Sequence, residues 1–151
     1  MNLRLRDIRE KYDISQRKTA SKLKISKSYY NYFESGERII PLCRLNDFCN
    51  LFHVDFDYAL GLSNHNIVSK RLIKLDKKLI GRRIKEIRNK NKLTQLQFAE
   101  ILHTTQSTVS SYEHGNTLIL TAFLYEMCTK LKISANYIVG KTNTIKIIIE
   151  S

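Results

Sequence analysis

The sequence predicts an all-α chain folded as two small domains of one kind. Three observations carry that reading. First, the chain is written twice: residues 1–64, shifted by 79 positions, fall on residues 80–143 without a gap and with 16 identities in 64 positions. A period that long exceeds the roughly 20–50 residues of solenoid arrays, so the copies are separate domains and not stacked repeats. Second, one proline and five glycines in 151 residues favour helices over a turn-rich sheet protein. Third, apolar residues follow the helical period: Leu5, Ile8 and Tyr12 in one copy, Ile80, Ile84 and Ile87 in the other. The expected organisation is a first domain over 1–63, a basic linker over 64–78, a second domain over 79–143 and an apolar tail over 144–151. At about 64 residues, each copy can fold alone if its helices pack well.

Five helices are expected in each copy. The first is amphipathic and basic and ends near Asp13 or Asn91. Ser15 and Thr94 then offer a side-chain oxygen to an orphan amide, the signature of a helix start. The second helix runs through Ala20 and Leu23, or Phe98, Ala99 and Leu102. After a short turn, Ser26 and Thr105 cap a third helix, Lys27 to Glu34 or Gln106 to Glu113. Gly36 and Gly115 suit a left-handed C-terminal cap. A fourth helix spans roughly Leu42 to Phe52, or Thr121 to Leu131, with Pro41 suited to its first turn. A short fifth helix, Asp55 to Leu60 or Ser134 to Val139, ends at Gly61 or Gly140.

The net charge is +12. Residues 1–64 carry 11 basic and 8 acidic groups, residues 65–78 carry 5 and 1, and residues 79–143 carry 9 and 4. Such an excess points to a polyanion, of which nucleic acid is the commonest. Three cysteines, an odd number, make no disulfide framework. Cys49 and His53 share a helix face, but Lys132 stands where His53 would recur, so no shared metal site and no cofactor is expected. The sequence has no carboxylate cluster with metal spacing, no nucleophile motif and no phosphate-loop glycines, so no enzyme is expected. No apolar run approaches about 18 residues, and the N-terminus lacks a secretory pattern. The expected location is the cytoplasm, associated with the nucleoid.

The motifs themselves are IGRRIKEIR (80–88), LTQLQFAEIL (93–102), QSTVSSYEHG (106–115) and ISANYIVGKT (133–142) in the second copy. The first copy has LRLRDIR (3–9), ISQRKTASKL (14–23), SYYNYFESGER (28–38), Pro41 and VDFDYALGLS (54–63). Over about 128 residues these resemble the phage-repressor and Cro-type helix-turn-helix domain, present twice. The resemblance implies two five-helix, lambda-repressor-like heads that bind double-stranded DNA. It places the front of the third helix against base edges in the major groove. The matching positions are Lys27, Ser28 and Tyr32, and Gln106, Ser107 and Ser111, with Tyr29, Asn31, Thr108 and Ser110 secondary. Gln106 suits adenine and Lys27 suits guanine. Gln16 and Gln95, at the start of the second helix, match phosphate-contacting positions. Arg17 and Arg38 add candidates in the first copy. Leu96 and Thr117 stand in their places in the second, where Asn116 is the substitute. The family pairs an arginine with a glutamate at positions matching Arg9 and Glu34, and Arg88 and Glu113, which implies a structural ion pair in each copy.

One departure from the family pattern stands out. Thr19 takes the place of a large apolar residue and Tyr30 that of a β-branched one, whereas Phe98 and Val109 keep the pattern. If both positions face the core, Tyr30 fills the volume that Thr19 vacates.

The linker carries Lys70, Arg71, Lys74, Lys77 and Lys78, all candidates for phosphate. Leu72, Leu75 and Leu79 allow it to extend the first helix of the second copy. As 15 helical residues it spans about 22 Å, and fully extended about 50 Å, against about 34–36 Å between adjacent half-sites. The tail holds Ile145 and Ile147 to Ile149. It suits a strand or a docking segment, pairing with a second copy of the chain in a homodimer or packing on its own domain. The expected function is a sequence-specific transcriptional regulator, a repressor, reading an asymmetric site with two unlike recognition helices. The alternative is an interaction protein in which one unit binds DNA and the other a protein partner, held on the first copy by Tyr29, Tyr30 and Tyr32.

Overall fold

A computed structural model describes residues 1–67 and 71–147, and every described element is helical. The chain divides into two compact units, the first covering Met1–Ile73 and the second beginning at Lys74. Unit 1 holds α1 (Leu5–Lys11), α2 (Gln16–Lys22), α3 (Lys27–Ser35), α4 (Leu42–Phe52) and α5 (Phe56–Ala59). Unit 2 holds α6 (Lys77–Lys90), α7 (Gln95–Leu102), α8 (Gln106–Glu113), α9 (Thr121–Leu131) and α10 (Ala135–Ile138).

The caps define the elements. Ser15 accepts from the Lys18 amide and Ser26 from the Tyr29 amide. Thr94 accepts from the Gln97 amide while the Gln97 side chain accepts from the Thr94 amide, a reciprocal capping box. Thr105 accepts from the Thr108 amide. Asp55 and Ser134 cap α5 and α10, so these residues precede the short helices and are not part of them. Pro41 likewise stands at the N-cap of α4 and not inside its first turn. Gly36 and Gly115 adopt φ of 80° and 69°, the left-handed region in which a Cβ is strained.

Each unit closes on its own apolar core. In unit 1 it is built from Leu5, Ile8, Tyr30, Phe48 and Phe56, and in unit 2 from Ile80, Ile84, Phe98, Leu124 and Ile138. Tyr12, placed in the core by periodicity, is instead 46% exposed just past the end of α1. Its ring still lies 5.4 Å from that of Phe52. Thr19 and Tyr30 are both fully buried, as are Phe98 and Val109 in unit 2. Tyr30 therefore turns inward and not toward solvent. Thr19 satisfies its hydroxyl on the Ser15 carbonyl at 2.9 Å.

The linker differs from expectation. Residues 71–76 are not helical, and α6 begins at Lys77, where the Asp76 carboxylate accepts from the Lys78 and Leu79 amides. An aspartate in that capping role stops the helix from running further back. The segment before it is tied to unit 1. The Asn46 and Asn50 side chains donate to the Ile73 carbonyl at 3.0 and 2.9 Å. The Ile67 amide donates to Asp55 at 2.6 Å. Lys70 lies outside the described residues, as do Ile148 and Ile149 of the tail. The described part of the tail forms no strand, and the Ser134 amide donates to the Ile145 carbonyl at 2.8 Å.

Candidate nucleic-acid interface

In both units an arginine, half-buried in the first and buried in the second, ties the first helix to the third. Arg9 reaches from α1 to Glu34 near the end of α3, with Nε–Oε1 at 2.5 Å and Nη2–Oε2 at 3.1 Å. Its remaining nitrogen donates to the Ile14 carbonyl at 2.9 Å. Arg88 repeats the pattern on Glu113, at 2.8 Å for both Nε–Oε2 and Nη2–Oε1, and on the Leu93 carbonyl at 2.8 Å. One guanidinium thus ties together the first helix, the turn after it and the third helix. The two-pronged contact is the strong form of such a pair. The carboxylate hydrogen bond raises the pKa of both arginines against the opposing effect of burial. Burial pushes the Glu34 carboxyl up, but hydrogen bonds led by those from Arg9 and Gln16 outweigh it and hold the group below its usual range.

Gln16 works inside this network. Its amide nitrogen donates to Glu34 at 2.8 Å and to Asn31 at 3.1 Å, which uses both side-chain protons. Gln16 thus has no free side-chain proton in this arrangement, while Arg17 beside it is exposed. Gln95 makes one longer bond to Glu113, at 3.4 Å.

The sequence-derived base-reading residues sit at the front of α3 and α8. Lys27, Ser28, Gln106 and Ser107 are exposed directly after the capping residues Ser26 and Thr105. Further along, Tyr32 and Ser111 are half-buried, and each is tied to the following loop. The Arg38 guanidinium lies over the Tyr32 ring, 4.9 Å from its centre. Ser111 meets Thr117, hydroxyl to hydroxyl, at 3.0 Å. The same pair of positions is therefore coupled in both units, by a cation over a ring in one and by a neutral hydrogen bond in the other. Arg17 and Asn116 are exposed. The tyrosine surface suggested for a protein partner is reduced, because Tyr30 is fully buried and Tyr29 packs on Phe33 with ring centres 4.6 Å apart.

A second arginine cluster was missed from sequence. Arg4 donates to the Ser63 carbonyl and to Asn64 Oδ1, and lies over the Tyr58 ring at 4.6 Å. Arg83 makes the same set with the Thr142 carbonyl, Asn143 Oδ1 and the Tyr137 ring at 4.3 Å. These clamps fasten the first helix of each unit to the end of its last turn. The signal was available: Arg4, Tyr58 and Asn64 all recur as identities while most of their neighbours change. No group of metal-ligating side chains occurs among the described residues, and no described helix is long and apolar enough to cross a membrane.

Comparison with known proteins matches each unit separately. A family model described as "Helix-turn-helix" covers residues 5–58, and one described as "Helix-turn-helix domain" covers residues 81–143. Antitoxin PezA of Streptococcus pneumoniae serotype 4 (strain ATCC BAA-334 / TIGR4) is 36% identical over 63 residues, which is 42% of this chain and 40% of that protein. The uncharacterized HTH-type transcriptional regulator YobD of Bacillus subtilis (strain 168) is 34% identical over 61 residues, 40% of this chain and 54% of that protein. The chain thus spans about half or less of the length of these relatives. Among solved structures, the P22 c2 repressor in complex with a synthetic operator aligns at 23% identity and a TM-score of 0.40, over 42% of this chain and 97% of that one. The SinR/SinI complex aligns at 26% and 0.38, over 44% and 67%.

Proposed function

We propose that this chain, which carries the Cro-type helix-turn-helix domain twice in tandem, is a sequence-specific regulator of transcription that binds duplex DNA. The observation behind this is the exposure of Lys27, Ser28, Gln106 and Ser107 at the capped fronts of two rigidly braced third helices. A helix front with free polar side chains is the geometry that reads base edges in a major groove. Among the described residues the Gln106 and Ser107 side chains make no hydrogen bond, which leaves them available. The two fronts are unlike, so the site they read is asymmetric and not a palindrome. Occupying such a site at a promoter is enough to repress, which makes a repressor the simplest role. The names of the curated relatives, an antitoxin and a transcriptional regulator, agree with a regulatory role.

The test is enrichment of random duplexes on the purified chain, followed by footprinting of the winner. A single asymmetric sequence protected over two adjacent major-groove faces is expected. Gln106→Ala should then relax preference at one base pair by about 1–3 kcal/mol. An unchanged preference for that variant overturns the assigned front of α8, and a failure to enrich any sequence overturns the function.

A further inference from the structure

The two reading heads are opposite in charge, and net charge per unit hides it. Between residues 14 and 41, unit 1 has six basic residues: Arg17, Lys18, Lys22, Lys24, Lys27 and Arg38. The equivalent stretch of unit 2, residues 93–120, has none, with Leu96, Gln97, Ile101, His103, Gln106 and Thr117 at those positions. Each stretch has two glutamates, so the formal charges are +4 and −2. All six of these cations are exposed, and none is in an ion pair among the described residues.

Unit 2 is nevertheless the more basic copy overall, because its cations lie elsewhere. Lys77, Lys78, Arg82, Lys85 and Lys90 are exposed along α6. Arg83 and Arg88 are occupied inside the unit. Lys90 and Lys92, at the turn leading into α7, are the nearest in sequence to the reading head, where unit 1 has Lys11 and Asp13. On the head itself, the place of Arg17 is taken by Leu96, which is 54% exposed.

Resting on the duplex-DNA reading, we infer that unit 1 is the phosphate grip of this protein and that unit 2 meets the duplex through uncharged contacts. Phosphate contacts made by lysine or arginine release counterions and so make affinity fall with salt, by a slope of about 0.9 per phosphate. Hydrogen bonds and apolar contacts to base edges discriminate sequence without that dependence. The salt dependence of the whole chain therefore comes from unit 1, and unit 2 adds discrimination at nearly constant slope. The exposed Leu96 suits a thymine methyl or a sugar face better than a phosphate.

The experiment exchanges residues between the heads in the full chain and follows affinity for the enriched duplex against salt. Arg17→Leu, Lys18→Gln and Arg38→Thr together give unit 1 the residues of unit 2 at three positions outside the base-reading front. All three sites are exposed, so the fold is retained, and thermal melting checks it. The slope should fall by about 2–3. The reverse set, Leu96→Arg, Gln97→Lys and Thr117→Arg, should steepen it. Arg82→Gln with Lys85→Gln, on α6 away from the head, should leave it within one unit of the parent. A slope that survives the first set, or that falls more with the α6 pair, overturns the inference while leaving the chain a DNA-binding protein. A parent chain that binds no duplex overturns the function itself.

Discussion

The two units share a scaffold and differ in what they mount on it. In both, one arginine binds a glutamate 25 positions away, and a second binds an asparagine 60 positions away. The differences begin at the first helix. α6 has 14 residues where α1 has 7. Its early turns lie against the end of α8: a Cβ on Gly81 would come within 2.4 Å of the Tyr112 carbonyl, and Lys78 donates to the His114 carbonyl at 2.7 Å. In unit 1 the matching space is a groove of about 410 Å³ bordered by Asn2, Phe33, Ser35 and Ile39. The stretches that hold the second and third helices differ again, in charge. Positions that carry the bracing change least, and positions that face outward are free to diverge.

The strongest test of the shared scaffold is to break the ion pair in each unit. Glu113→Ala leaves the Arg88 guanidinium, which is nearly buried, without its carboxylate, and Glu34→Ala does the same to Arg9. Losing one partner of such a pair costs about 3–5 kcal/mol. Hydrogen exchange on the full chain should show the loss confined to the altered unit, with similar size in both. Loss in one unit and indifference in the other would mean that the two scaffolds are not equivalent.

Next in size is the close approach at Gly81. Gly81→Ala drives a methyl group into the Tyr112 and Glu113 carbonyls, which are backbone and cannot rotate away. Unit 2 should lose about 1–3 kcal/mol, the usual cost of overpacking. Asn2→Ala, at the equivalent position outside α1, should change stability by less than about 0.5 kcal/mol, as exposed sites do. Equal effects at the two positions would remove the difference drawn between the first helices.

Most of the scaffold was legible because the repeat filters the sequence. Residues such as Arg9, Glu34, Gly36 and their equivalents stand out when two copies are laid together, and the third and fourth helices fall where periodicity and caps put them. Other features carry no such signal. The turn between the second and third helices is made at Lys24 and His103, with φ of 57° and 56°, where no glycine advertises the left-handed backbone. Tyr12 has the right spacing for the core, but it falls one residue past the end of α1. The leucine pattern that suggested a longer α6 was overruled by Asp76, a capping residue lying inside it. The Arg4 and Arg83 clamps were visible as identities, but no motif named their partners. The contrast between residues 14–41 and 93–120 is present in the sequence but cancels in the net charge of whole copies.

The core exchange at Thr19 and Tyr30 sharpens the comparison at a similar or smaller scale. Thr19→Phe alone should overpack unit 1 by about 1–3 kcal/mol. Adding Tyr30→Val, the residue type found at Val109, should recover most of that loss in urea unfolding. A single Thr19→Phe variant as stable as the parent would show that Tyr30 does not occupy the vacated volume. Burial, with the Glu34 carboxylate acting beside it, pushes the Tyr30 phenol above its usual range.

The smallest effect expected is the pH dependence of unit 1, and its sign follows from Glu34. Its carboxyl is held below the unfolded value, with the hydrogen bonds from Arg9 and Gln16 overcoming the upward push of burial. A group with a depressed folded pKa binds more protons in the unfolded chain, so stability falls as pH falls. The contribution is complete above the unfolded pKa, about 4.3. It is lost progressively as pH drops below that value and through the lower folded one. Unit 1 should therefore soften on acidification from about pH 5 towards pH 3, followed by hydrogen exchange in α1 and α3. Gln16→Ala removes one of the two leading donors and brings the folded pKa of Glu34 nearer its unfolded value, so the loss of unit 1 stability on acidification should shrink, with its onset unchanged. An acid-induced loss as large as the parent's would show that the 2.8 Å bond from Gln16 to Glu34 does not hold that carboxyl down.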